Sequence, residues 1–210
     1  KYADHEESIL YPEKESVGEK RGDKHWTIQE VYSEKRVFAL VASNIFVAFF
    51  MTGLFFTHAQ ILESKQLPVI LWAQSFGVYA LSQVTHSFVA GNLIDRWSAH
   101  ALYPLIPLPI FFGTLALSFL DGDVSVLLFL IGAGASVGIY SPTKNSFLAE
   151  VYGLKNLAAI KGLDSTWMVI STSISPVLFP FALQKFGVES FKVIISGTAA
   201  LGCLSFLISW

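Results

Sequence analysis

Six stretches of this chain carry no Lys, Arg, Asp or Glu: residues 37–62, 67–94, 98–120, 124–143, 165–184 and 193–210. A helix needs about 20 mostly apolar residues to cross the hydrocarbon core of a bilayer, and each stretch is close to that or longer. Inside lipid, backbone groups must find partners within the spanning structure, which leaves helices and closed barrels. Barrel strands would alternate in polarity over about ten residues, and no such alternation occurs. The chain is therefore expected to be all-α, a polytopic membrane protein with six transmembrane helices near 36–60, 67–94, 98–120, 124–149, 160–184 and 190–210. Composition agrees, with 53% hydrophobic and 14% charged residues and a mean hydropathy of +0.54.

Basic residues set the expected orientation. Eleven of the 14 Lys and Arg fall on the tail, the second loop and the fourth loop, against Lys65, Lys185 and Lys192 on the other side. The positive-inside rule then places the N-terminal tail and the C-terminus in the cytoplasm of a cell (inner or plasma) membrane. Residues 1–35 read as a cytoplasmic tail or linker, polar and charge-mixed. Thr27 and Glu30 have the spacing of a capping box, so a short amphipathic helix is expected near 27–34. No signal peptide is visible, and Cys203, the single cysteine, lies in the last apolar stretch, where it forms no disulfide framework.

Between the second and third stretches stands Gly91-Asn92-Leu93-Ile94-Asp95-Arg96. Charge at such a hairpin lies at the membrane surface, and Gly91 allows a neighbouring helix to come close. Gly91, Leu93, Asp95 and Arg96 resemble the Gly-x-Leu-x-Asp-Arg loop signature of the major facilitator superfamily, although Trp97-Ser98-Ala99-His100 follow where that family often has glycine and a basic pair. Residues 26–38, 55–65 and 150–160 resemble its monocarboxylate-type and related uncharacterised carriers. The resemblance runs from about residue 26 to the end and implies the C-terminal six-helix half of such a carrier. The lack of an initiating Met fits that expectation, under which the N-terminal six-helix half is a missing partner. The resemblance also implies a cytoplasmic latch made by Gly91, Asp95, Arg96 and Glu150, with Arg96 able to pair with Glu150 and a carboxylate able to sit on a helix N-terminus. The alternative is a topology anchor of solvated charges.

Other polar groups lie inside the apolar stretches. Asn44, Ala48, Met51, Phe55 and His58 share one helical face; Asn44 and His58 are candidate substrate-binding residues, and His58 could carry a proton near neutral pH. Interhelical bonding of Asn44 and an interfacial His58 are the alternatives. Tyr79, Gln83 and His86 also share a face, and aligned polar groups in lipid face protein or water, so substrate path and helix packing both stand open. In the fourth stretch Gly134 and Gly138 make a small-xxx-small face, and Pro142, just after Tyr140, is expected to bend or break the helix. Tyr140 completes the candidate substrate set. Lys144 is expected to snorkel to the interface, with attraction of an anionic substrate as the alternative. Lys161 and Asp164, at i and i+3, are expected to pair locally.

Several function classes are excluded. Gly134-Ala135-Ser136-Val137-Gly138 matches the Gly-x-Ser-x-Gly nucleophile pattern, which requires a strand-turn-helix elbow that a continuous span does not provide. No two of the five histidines are spaced i, i+3 or i+4, and one cysteine builds no zinc site, so no metal and no cofactor is expected. A formal net charge of −2 argues against a nucleic-acid partner, and no phosphate-binding glycine loop is present. The expected partners are the lipid bilayer and a small-molecule substrate. The expected function is secondary transport by alternating access, with a small organic anion as the substrate class implied by resemblance and proton coupling as an option. A six-span channel or receptor-like protein, and less so a membrane-embedded enzyme, are the rival readings.

Overall fold

A computed structural model describes residues 35–208, with side chains from Phe46 onward apart from some near the C-terminal end. The tail and the amphipathic helix expected near 27–34 lie outside the described residues. Helix α1 covers Lys35–Ser64 and α2 covers Ile70–Trp97. The third segment is built from α3 (Ala99–Leu102), a 3-10 turn (Tyr103–Leu105) and α4 (Leu108–Phe119). Helix α5 covers Asp123–Tyr152 and α6 covers Leu157–Ile208. Gly187, at φ 70° and ψ 169°, interrupts α6 and divides it into arms 157–186 and 188–208. A positive φ of this kind suits a residue without Cβ.

Among the described residues, four helical segments are long and apolar enough to cross a membrane: Phe46–Ser64, Ala99–Phe119, Asp123–Tyr152 and Leu157–Val188. Helix α2 has 28 residues, which span about 42 Å at 1.5 Å per residue. It falls short in hydropathy because Gln74, Ser75, Tyr79, Ser82, Gln83, Thr85, His86 and Ser87 interrupt its apolar residues. The last expected segment runs into residues outside those described. The chain is an all-α polytopic membrane protein.

The packing centres on α5. Helix α2 lies along one side of it and α4 along another, α1 packs on α6, and α4 also meets α6. Glycines bring α5 close to both neighbours. A Cβ on Gly134 or Gly138 would strike the backbone carbonyl of Tyr79 or Gln83 in α2, and one on Gly132 would strike the carbonyl of Pro109. Close backbone approach through small residues is how helices associate where lipid removes the hydrophobic drive between them. Gly91 does not act this way, since a Cβ there would meet nothing within 4 Å among the described residues.

Two details depart from the expected spans. The third segment is broken, because Pro104, Pro107 and Pro109 lack the N–H groups a continuous helix would use. The fully buried Ser136 of α5 patches the break. Its hydroxyl accepts from Ile110 N (2.9 Å) and donates to Ile106 O (2.7 Å), standing where a direct i to i−4 bond would run. Pro142, by contrast, sits inside an α5 that stays helical over 30 residues.

Candidate functional site

The charges that matter most lie on α5 and α6. Lys144 and Asp164 form an ion pair across these helices, with side-chain exposures of 14% and 8%. The Lys144 ammonium also donates to the Tyr140 hydroxyl (3.2 Å) and lies 5.2 Å from the centre of that ring. Tyr140 is one turn before Lys144, so helix geometry alone sets it under the lysine stem. Lys144 is eight residues from the end of α5 and Asp164 seven from the start of α6, about 12 and 10 Å along their helices. At 30 residues α5 spans about 45 Å, against about 30 Å for a hydrocarbon core. Both charges therefore lie about two turns inside the ends of their helices.

This overturns two expectations. Lys144 does not snorkel free, and Asp164 pairs with Lys144 rather than with Lys161. An exposed i, i+3 pair contributes only about 0.2–0.5 kcal/mol. A buried charge without a partner is far costlier, so the buried carboxylate is matched by the buried ammonium facing it.

At the loop signature, Asp95 and Arg96 are exposed, Gly91 is half-buried, and Arg96 forms no ion pair among the described residues. Glu150 instead accepts from the backbone N–H groups of Ala99 (3.1 Å) and His100 (3.4 Å). The turn at Ser98 (φ 92°) ends α2 and starts α3, so those amides are available. A carboxylate on unsatisfied amides at a helix start is favourable by charge and by hydrogen bonding; Glu150 fills that role rather than Asp95. Beside it, Phe147 stacks on His100 (5.7 Å) and packs on Tyr103 (4.5 Å). The C-terminal end of α5 is thus clipped to the start of the third segment.

The remaining candidates are distributed over two packing seams. His58 donates from Nδ1 to Phe55 O and lies 5.0 Å from the Trp72 ring. Phe55 in turn meets Trp72, Phe76 and Tyr79 edge-on at 5.5–5.9 Å, so His58 and Tyr79 border one aromatic cluster between α1 and α2. Lower on α2, His86 donates from Nδ1 to Ser82 O (2.8 Å), and Ser82 donates to Ile131 O of α5 (2.8 Å). Gln83 lends its carbonyl to the close approach of Gly138. These contacts join α2 to α5, whereas Tyr140 belongs with Lys144. Asn44 lies in α1, but its side chain is outside the described residues.

Sequence reasoning passed over three participants. Lys65 donates to Leu120 O (2.6 Å) at the end of α4 and lies 3.9 Å from the exposed Asp121. Ser82 and Ser136 are serines whose hydroxyls leave their own helix, a choice that no local pattern announces. Asp164 carried a readable signal, since the fifth expected helix, 160–184, begins before it. Among the described residues no three His, Cys, Asp or Glu side chains gather as metal ligands would.

A model of the Major Facilitator Superfamily matches residues 9–176. No curated protein matches the chain. With only helical elements among the described residues, apolar segments of bilayer length and a family match over most of its length, the chain belongs to the Major Facilitator Superfamily of membrane transporters.

Proposed function

We propose that this chain is the six-helix half of a secondary transporter that moves a small organic anion by alternating access, with proton coupling through the Lys144–Asp164 pair. The pair itself is the observation that carries the reading, because a largely buried lysine is held by Tyr140 and matched by the buried carboxylate of Asp164. An incoming carboxylate can take the place of Asp164 on Lys144. Asp164, buried and no longer faced by that ammonium, then holds its charge at a higher cost, which a proton relieves, and anion and proton travel together. Tyr140 positions the ammonium through the exchange. His58, Tyr79, Gln83, His86 and Asn44 belong, on this reading, to the walls of the path. Gly91, Asp95, Arg96 and Glu150 belong to the gate at the cytoplasmic side. Access alternates by rocking of this half against the other.

The test is uptake of small monocarboxylates and dicarboxylates by the full-length transporter in proteoliposomes, with and without an imposed pH gradient. Saturable uptake driven by an inward proton gradient is expected, with loss in Lys144→Met. In Asp164→Asn, uptake is expected to persist but no longer follow the gradient. Folded protein that takes up no anion, or uptake indifferent to Lys144→Met, overturns the reading.

A further inference from the structure

The exposed side chains of α5 sort by position. From 124 to 131 they are Val124, Leu128 and Ile131, all apolar. From 132 to 149 they are Ser141 and Asn145, both polar and on either side of Lys144. Helix α5 is long and apolar enough to span a membrane, and polar groups in such a helix face protein or water rather than lipid. Neither Ser141 nor Asn145 is covered by another helix of this unit, so their strip faces something else.

Helix geometry sets both residues beside the lysine. At about 100° per residue, Ser141 is turned about 60° from Lys144 and Asn145 about 100° in the same sense. Ser136 and Glu150, which serve the third segment, are turned the other way. Gly134 and Gly138 point much as Asn145 does and are covered by α2; two turns after Gly138, Asn145 is exposed. Ser141 and Lys144 are i and i+3, and Ser141 and Asn145 are i and i+4, so the three are neighbours on one strip. The Asn145 amide donates one N–H to Ser141 O (2.9 Å), which fixes its plane and leaves an oxygen and a second N–H for another partner. The Ser141 hydroxyl can donate and accept as well. A cation held from behind by Tyr140 and Asp164 is thus bordered by two neutral hydrogen-bonding groups.

We propose that Ser141 and Asn145 form a neutral recognition patch for the substrate of the Lys144 site, binding an uncharged polar group at the far end of an anion whose carboxylate meets Lys144. The inference rests on the reading of Lys144 as the anion site. Neighbouring positions on a helix face are about 5–6 Å apart, about the reach of three or four bonds in an extended ligand. The fitting class is therefore a monocarboxylate with an oxo, hydroxyl or amide group at its γ carbon. A second carboxylate fits less well, because Ser141 and Asn145 bring no charge to meet it and its desolvation goes uncompensated. A plain alkanoate leaves both side chains without a ligand partner.

Two measurements on the full-length transporter in proteoliposomes test it. In the first, unlabelled acids compete with uptake of labelled 4-oxopentanoate at neutral pH. 4-Hydroxybutanoate and succinamate are expected to compete about tenfold better than butanoate, the effect of about two added hydrogen bonds, and succinate no better than butanoate. Ser141→Ala with Asn145→Leu is expected to bring the first two down to the level of butanoate and to leave butanoate where it was. In the second, Ser141→Cys and Asn145→Cys, each in a Cys203→Ser background, are labelled with a water-soluble thiosulfonate. Fast labelling that 4-oxopentanoate slows is expected there, with slow labelling at Leu128→Cys and Ile131→Cys whether or not the acid is present. Equal competition across the panel, an unchanged order in the double variant, or labelling at 141 and 145 that 4-oxopentanoate does not slow overturns the proposal. Side chains that are merely solvated give that last result. Lys144-dependent uptake without the preference refutes the patch alone. Protection and preference with uptake indifferent to Lys144→Met refute the reading of Lys144 and not the patch, and no uptake with unslowed labelling refutes both.

Discussion

Replacing Ser136 by alanine removes one oxygen from the centre of the molecule and strands two backbone groups. Ile110 N–H and Ile106 C=O both use the Ser136 hydroxyl, and the site is fully buried. An orphaned buried polar group costs about 1–3 kcal/mol in water-soluble proteins. Interhelical hydrogen bonds within membranes average about 0.6 kcal/mol and reach about 1.7. Two bonds are lost at once, so Ser136→Ala is expected to cost about 2 kcal/mol, or roughly 4–8 °C in Tm for a chain of this size. Ser82→Ala is the natural comparison. Its hydroxyl donates to Ile131 O, a carbonyl within a continuous helix, so its loss strands nothing and is expected to cost below about 1 kcal/mol. Thermal unfolding of both variants in one detergent measures the difference. Hydrogen exchange locates it, since the Ile110 amide is expected to lose protection in Ser136→Ala while amides near Ile131 keep theirs in Ser82→Ala. Equal Tm losses, or an Ile110 amide as protected as before, would refute the idea that Ser136 stands in for a missing rung of the helix.

Gly138→Ala drives a Cβ into the Gln83 carbonyl and is expected to destabilise by about 1–3 kcal/mol, as overpacking does. Gly91→Ala, with open space around it, should be stabilising by about 0.5–1 kcal/mol from helix propensity; the same melting assay separates the two. Glu150→Ala should cost about 1 kcal/mol, as loss of a helix cap does, with Glu150→Gln recovering part because its amide oxygen still accepts from Ala99 N–H; hydrogen exchange at Ala99 and His100 reads this directly. Lys65→Met should speed exchange at the end of α4 by removing the donor to Leu120 O, while Asp121→Asn leaves melting unchanged, since that carboxylate is solvated.

Much of the helical layout was legible because lipid makes one demand simple: long uncharged runs become helices. The same rule misled where charge entered a span with its partner. Asp164 reads as the edge of a segment when charge marks boundaries, yet α6 starts at Leu157 and carries Asp164 inward to Lys144. The broken third segment was hidden for a different reason. Hydropathy ignores lost backbone bonds, and the residue that repairs the break lies 26 to 30 positions away in Ser136. Pro142 was expected to bend or break its helix, but a single proline costs one bond whereas Pro104, Pro107 and Pro109 remove three within six residues. The Gly134/Gly138 spacing was readable because close packing depends on residue size and helical period alone. The substrate candidates on α2 were harder, since Tyr79, Gln83 and His86 share a face whether that face meets water or α5.

The arrangement of α5 explains why these roles do not collide. At about 100° per residue, taking Gly134 as zero, Gly138 lies near 40° and faces α2 with it. Gly132, Ser136 and Glu150 lie near 160–200° and face the third segment. Tyr140 and Lys144 lie near 240–280°, where Lys144 reaches Asp164 of α6. The sectors differ in chemistry: small residues for contact with α2, a small residue and acceptors for otherwise unbonded amides toward the third segment, and a cation for a buried carboxylate. The first two are rigid, because backbone cannot yield to a Cβ and an orphaned amide has no other partner. Only the third can exchange its partner for another anion without breaking the helix that presents it. A transporter needs a part that stays fixed while another part moves, and in α5 the two are separated by rotation around one helix axis.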